Sequence, residues 1–290
     1  MLAQQIINGL MLGSVYVLVA VAFTLSIGIL NFLNFSIPGL FMLGGVLSWL
    51  LIDAGWPWMP AVAGALLAVA GAALVVERCT YRWMKGSDPE VPLVSSLGFL
   101  ILFENLMLIE AGSDQQAFPQ IFPDFNLRLA GLVFGVPQLI GLALAVTLVA
   151  LISRVLKATR QGRQVRAIAE DPETAYILGI NVDRTVTFVF VVSGVLAALA
   201  GVLFAFNYLQ VSPFMGAEVG LKGISAMIVG GMGNVWGAIA GGLLIGLTEV
   251  LSINYLGADF VDITVYGLLL ILLVFRPQGL LGRAPGREKL

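Results

Sequence analysis

The sequence predicts an all-α, polytopic membrane protein with about eight to nine membrane-embedded helices. Three observations carry this. Of 290 residues, 59% are apolar and only 11% are charged, against about 25% charged in soluble domains, and the mean hydropathy is +0.98. The apolar residues gather into stretches long enough to cross a bilayer, which takes about 20 helical residues. Lys and Arg are confined to short segments between those stretches. A soluble core could not hide so much apolar surface, so lipid is the solvent for most of the chain.

The stretches run at 6–30, 35–52, 57–77, 93–111, 136–154 and 186–210, followed by a Gly-interrupted pair at 219–232 and 235–253 and a last span at 259–275. Met1 to Gln5 carry no Lys or Arg, whereas a cleavable signal begins with a basic region, so the first stretch is expected to remain as a span. Residues 1–290 read as a single transmembrane domain with a loop at 155–184. Trp56, Trp58 and Trp83 sit at predicted span ends, as an aromatic belt requires. The segment 112–135, with Phe118, Pro119, Phe122, Pro123 and Phe125, reads as a compact interfacial loop.

Basic residues set the expected orientation, because Lys and Arg are retained on the cytoplasmic side. Arg78, Arg82 and Lys85 follow the third span. Arg154, Lys157, Arg160, Arg163, Arg166 and Arg184 surround the loop after the fifth, and Arg276, Arg283, Arg287 and Lys289 follow the last. Together they are 13 of the 15 basic residues, leaving Arg128 and Lys222 for the outer side. The loop at 155–184 and the tail are therefore expected inside, and the N-terminus outside. Parity then requires 219–253 to go in and return, as two short spans or as a re-entrant pair, turning at Gly230-Gly231-Met232-Gly233-Asn234.

Composition also excludes functions. The chain has no histidine, and Cys79 is its only cysteine. Zinc hydrolysis, a His proton relay and an intrachain disulfide are excluded, and no metal or cofactor is expected. No polybasic tract points to nucleic acid. No Gly-x-x-x-x-Gly-Lys-Ser/Thr loop is present, so the chain carries no ATPase of that kind.

Thirty-four glycines invite two readings. Gly9/Gly13, Gly194/Gly201 and Gly237/Gly241 have the spacing of close helix packing. Broken helices, by contrast, line polar paths in transporters. Two breaks stand out: Asn31 to Gly39, containing Asn34, Ser36 and Pro38 and placed inside by charge, and Val211 to Gly216, containing Ser212 and Pro213 and placed outside. Each precedes a helix expected to end in paired glycines, Gly44-Gly45 and Gly230-Gly231, as an inverted-topology repeat would produce. Glu104 lies near the centre of the fourth span, where a charge costs about 2.5–3.5 kcal/mol. It is either protonated or hydrogen-bonded beside Asn105, or part of a wet path. Glu110, Glu249, Asp259 and Asp262 lie near outer ends and are expected to be solvated.

The run Gly162 to Asn181 contains a short self-capped helix. Asp171 suits the N-cap, Pro172 the first helical position, Glu173 the first turn, and Gly179 a left-handed terminator. About seven residues of helix are marginal in water. The segment therefore either docks on a partner or lies amphipathically on the membrane, and both readings stand on physics alone.

Glu173-Thr174-Ala175, with Gly179 after three further residues, resembles the E-A-A-x-x-x-G motif of ABC importer permeases. The longer run Gly162–Asp183 resembles the corresponding loop of the branched-chain amino acid (LIV-type) permease family. Glu77-Arg78 with Tyr81-Arg82, Gly230-Gly231-Met232-Gly233 with Gly237-Ala238, and the tail Phe275 to Leu280 match as well. The resemblance covers nearly the whole chain, and the length suits the shorter of that system's two permeases. It implies a type II-like ABC importer permease of the bacterial inner membrane. The implied partners are a second permease, two cytoplasmic ATP-binding subunits and a periplasmic substrate-binding protein. The resemblance also makes Glu170, Asp171, Pro172, Glu173, Ala175 and Gly179 the coupling residues, with Ala175 small because the ATPase packs against it. One departure bears on substrate: where the family commonly reads N-F-A-H-G-E-F-Y-M-L-G, this chain has Ile37, Pro38 and Gly39 in place of the His, Gly and Glu. Urea and short amides, substrates associated with related permeases, therefore stand beside branched-chain amino acids. An ion-coupled secondary transporter would need central carboxylates, for which Glu104 is the lone candidate. A membrane-embedded enzyme would need a D-D-x-x-D or H-E-x-x-H cluster, which is absent.

Overall fold

The computed structural model describes residues 2–30, 32–84, 88, 90–121, 126–129 and 132–282. The expectations resting on Met1, Asn31, Lys85, Phe122, Pro123, Phe125, Arg283, Arg287 and Lys289, and on the Arg128 side chain, lie outside the described residues. The chain order is α1 (Leu2–Leu30), α2 (Ser36–Asp53), α3 (Trp58–Val76), a π-helical turn (Glu77–Arg82) and α4 (Glu90–Ala111). Next come β1 (Gln116–Ala117), β2 (Asn126–Leu129), β3 (Leu132–Gly135), α5 (Val136–Ala158), α6 (Arg160–Glu170), α7 (Pro172–Ile177) and α8 (Val182–Tyr208). The chain closes with β4 (Gln210–Val211), α9 (Met215–Gly230), α10 (Val235–Tyr255), a 3₁₀ turn (Ala258–Phe260) and α11 (Val261–Phe275). Among the described residues, eight helices are long and apolar enough to cross a membrane. α9, with 16 residues and about 24 Å of length, falls just short of that measure.

α1 forms the buried axis and packs against α10, α8, α9 and α5. In lipid no hydrophobic force drives one apolar helix onto another, so close backbone approach has to hold them. A Cβ on Gly13 would sit 2.9 Å from the Leu243 Cα, and one on Gly242 2.6 Å from the Val17 nitrogen. On the other side of the bundle a Cβ on Gly201 would collide with the Phe41 carbonyl, and one on Gly241 with the Ala226 carbonyl. Of the glycines read as packing devices, Gly9, Gly13, Gly201, Gly237 and Gly241 meet backbone in this way, whereas Gly194 faces the Ala73 and Leu40 side chains. Gly44-Gly45 does not end a helix as expected. α2 runs on to Asp53, and Gly44 and Gly45 lie mid-helix against Ala198, Gly201 and Met215.

The bundle has a basic end and an opposite end. At the basic end Lys157 lies 5.6 Å over the Trp236 ring. The turn after α9 pairs there with the tail: Leu280 N–H donates to Val229 O at 2.9 Å, and Asn234 Nδ2 to Leu281 O at 2.7 Å. At the opposite end β1 pairs with β4, joining the loop after α4 to the break before α9. Phe118 is buried there against Phe206. These strands and the β2–β3 hairpin are small additions to the all-α expectation.

The first break lies deeper than charge suggested. Leu40, near the start of α2, packs against Gly194, twelve residues and about 18 Å along α8. Basic residues fix sides and not depth, so the sequence could not place it. Backbone groups freed at this depth need protein partners. Phe35 N–H donates to Ser96 Oγ at 2.9 Å, and Ser36 N–H to Asn34 Oδ1 at 3.1 Å.

Close backbone contact makes a sharp prediction. Gly201→Val should destabilise the purified protein by about 1–3 kcal/mol or prevent its folding, because the clashing atoms are backbone. Gly71→Ala, with nothing within 4 Å of the new methyl, should be tolerated. Thermal unfolding in detergent reads both; equal stability would contradict the packing account.

Candidate functional site

Three helices start in succession between α5 and α8, each capped by its own sequence. Thr159 Oγ1 accepts from Gly162 N–H at 3.1 Å and starts α6. Val165 and Ile168 turn inward and are buried, which seats α6 on the bundle. Asp171 stops α6 and caps α7, accepting from Glu173 N–H at 3.0 Å and from the Thr174 hydroxyl. These bonds from Thr174, then from Glu173, hold its carboxyl below the usual aspartate range. Pro172 takes the first helical position. Gly179 ends α7 at φ +80°, its N–H bonded to Tyr176 O and that of Ile180 to Ala175 O, the paired pattern of a Schellman cap. Asn181 then caps α8, accepting from Arg184 N–H at 3.0 Å.

This geometry corrects the role expected of Ala175. Its side chain is buried against the chain's own core and faces no open surface. The residues that α7 and its C-cap present outward are Tyr176, Ile177 and Leu178, which are 74%, 81% and 73% exposed. Glu170, Asp171, Pro172 and Glu173 surround this apolar tip and are exposed too. An open groove of about 540 Å³ runs beside it, lined by Tyr176, Ile177, Gly179, Ile180 and Asn181 among others. The helix has one turn and a half, and it is held by caps and by Ala175.

The structure brings the two backbone breaks together. A Cβ on Gly216 would touch the Pro38 carbonyl at 2.5 Å, and one on Gly220 would meet the Pro38 ring. α2 and α9 thus begin side by side and run in opposite directions. Ser212 supports the second break, its Oγ accepting from Phe214 N–H at 3.2 Å. Asn34, Ser36, Pro38, Gly39, Pro213 and Gly216 are all buried. Glu104 is not part of the contact between the breaks. Phe103, and not Glu104, covers Gly39. Asn105 bonds to its own helix at Ile101 O, so it gives Glu104 no partner either.

Sequence reasoning missed one cluster. Glu249 is buried, where a solvated end residue was expected, while Glu110, Asp259 and Asp262 are exposed as expected. Tyr16 OH donates to its Oε2 at 2.6 Å and Lys222 Nζ to its Oε1 at 2.7 Å. Lys222, which charge counting left for the outer side, is therefore tied into the bundle. A lone lysine in one apolar stretch and a lone glutamate in the next were the available signal.

The family model described as "Branched-chain amino acid transport system / permease component" matches residues 5–275. The chain belongs to this family. The permease is 33% identical to the high-affinity branched-chain amino acid transport system permease protein LivH of Escherichia coli, over 99% of this chain and 97% of that one. It is 31% identical to the corresponding protein BraD of Pseudomonas aeruginosa, again over 99% and 97%. Among solved structures, PsaBC from Streptococcus pneumoniae in complex with Fab has the same fold. The TM-score is 0.51 at 15% identity, over 95% of this chain and 92% of that one. The permease is thus a multi-pass membrane protein of type II-like importer architecture.

The cap on α7 titrates. Its Asp171 carboxyl is lowered in the folded protein, so its contribution is present above the ordinary aspartate value and is lost as pH falls through the lowered one. Amide exchange at Glu173 and Thr174 should therefore accelerate, beyond its intrinsic pH dependence, on acidification through that window. Asp171→Asn should keep the protection and remove the extra dependence, and Asp171→Ala should lose protection at every pH. Exchange insensitive to all three changes would refute the cap.

Proposed function

We propose that this permease is the membrane-spanning subunit of an ATP-binding-cassette importer that carries branched-chain amino acids across the bacterial inner membrane. It works with a second permease, two cytoplasmic ATP-binding subunits and a periplasmic substrate-binding protein. Residues 1–290 act as one transmembrane domain. The loop at 155–184 and the tail are cytoplasmic, and the N-terminus is outside. The observation that carries this reading is α7: a helix too short to stand alone in water, capped at both ends and exposing three consecutive apolar side chains. With no nucleotide-binding loop of its own, the chain needs energy from a partner, and the tip of α7 is where that partner docks. Glu170, Asp171, Pro172, Glu173 and Gly179 shape the tip, and Ala175 anchors it.

Transport is then alternating access. Closure of the ATPases pushes α7, and α6 passes the push to α1 and α5. The substrate route passes the breaks at Asn34–Gly39 and Ser212–Gly216, where α2 and α9 start against each other. The departure at Ile37, Pro38 and Gly39 falls in this contact, and it favours urea or short amides as the second reading.

Competition for uptake by the reconstituted complex separates these. Leucine, isoleucine and valine should each displace labelled leucine, and urea and acetamide should not. Inhibition by urea or amides with none by leucine would overturn the amino-acid assignment. Whole cells carrying the permease in a Cys79→Ala background report its orientation. An impermeant thiol reagent added outside cells should reach Ser113→Cys and miss Thr159→Cys, and the reverse would overturn the orientation.

A further inference from the structure

Among the described residues, α9 carries opposite charges on one face within the bundle core. Glu218 and Lys222 are four residues apart, and such residues neighbour each other on a helix surface. Lys222 Nζ holds Glu249 Oε1 at 2.7 Å, with 15% and 9% of the two side chains exposed. Tyr16 closes the other carboxylate oxygen. Glu249 is thus used on both oxygens. Lys222 is not: an ammonium has three N–H donors, and the described residues take one. Glu218 is exposed and makes no hydrogen bond or ion pair among the described residues, with Tyr266 of α11 near enough to interact with its charge. Its neighbours on the open face are Phe214 and Leu221, at 48% and 52% exposure.

A carboxylate on a membrane helix that faced lipid would be costly, and such residues face protein or a wet cavity. α9 also starts at a backbone break, which in transporters marks a substrate path. α9 therefore offers, in one turn, an exposed carboxylate, a mostly buried ammonium with spare donors and two exposed apolar side chains. That is the complement of a zwitterion with an aliphatic side chain.

We propose that Glu218 and Lys222 form a waypoint for zwitterionic aliphatic amino acids during translocation. The substrate ammonium meets Glu218, and the substrate carboxylate takes the spare donors of Lys222. Phe214 and Leu221 meet its side chain, and Glu249 with Tyr16 holds Lys222 in place. This rests on the importer reading and names the residues that would discriminate within it.

The test uses the complete reconstituted complex and leucine uptake. Uptake by the unmodified complex is the control; if that complex takes up no leucine, the substrate reading itself fails, whatever the variants do. Given uptake, Glu218→Gln should assemble normally and lower the uptake rate at subsaturating leucine by at least about ten-fold. Glu218 makes no hydrogen bond or ion pair within the described residues, so normal uptake in this variant overturns the proposal. The double exchange Lys222→Glu with Glu249→Lys keeps a buried pair. Assembly without uptake agrees with recognition by Lys222, whereas assembly with full uptake reduces the pair to a structural lock and also overturns it. If the double exchange fails to assemble, the Glu218→Gln result decides alone.

Discussion

Helix backbones in direct contact are the constraint on which this structure depends. In lipid, apolar side chains gain nothing by leaving solvent, so association has to come from packing and from polar contacts. Here the packing is at glycine: α1 on α10, α2 on α8 and α9 on α10 meet where a single added methyl would strike main-chain atoms. A bundle held this closely has little room to deform. The Tyr16–Glu249–Lys222 cluster adds a polar tie between α1, α10 and α9 at the same core. Burying such a pair costs desolvation, and removing one partner would strand the other, so it fixes which helix faces which.

The same economy explains the two ends of the bundle. At the breaks before α2 and α9, backbone groups leave the helical ladder inside an apolar protein. Asn34, Ser96 and Ser212 supply the missing partners. At the basic end the chain leaves the bundle, and its helices have to be ended and restarted in water. Thr159, Asp171, Gly179 and Asn181 do this within about two dozen residues. The result is a rigid arm whose last turn shows Tyr176, Ile177 and Leu178 to the surroundings. An apolar tip on a basic, water-facing arm is unfavourable until something covers it.

Much of this was legible in the sequence, and the exceptions have physical reasons. The nine apolar stretches, the α7 caps and the glycine packing follow from local chemistry, since a cap or a close contact needs a particular residue type at a particular place. Depth was not legible: basic residues report sides, so charge puts the break at Asn34 on the inner side without showing that it lies within the bundle. Ala175 was assigned to the wrong partner because smallness says that something is near but not what. Glu249 and Lys222 were read from their positions along separate stretches. Their pairing depends on how α9 and α10 fold back on each other, which no local pattern encodes. α6 was also missed, since its apolar positions are few and lie among arginines.

The account makes the tip of α7 the point where a partner's motion enters the bundle. Protection of that tip on assembly tests this most directly. A chain carrying Cys79→Ala and Ile177→Cys would be labelled with maleimide as the isolated permease and again within the assembled importer, with Ser113→Cys at the opposite end as reference. The account predicts that labelling at 177 slows at least about ten-fold on assembly while labelling at 113 does not change, as expected when an exposed apolar anchor enters an interface. Equal rates at 177 in the two states would contradict it.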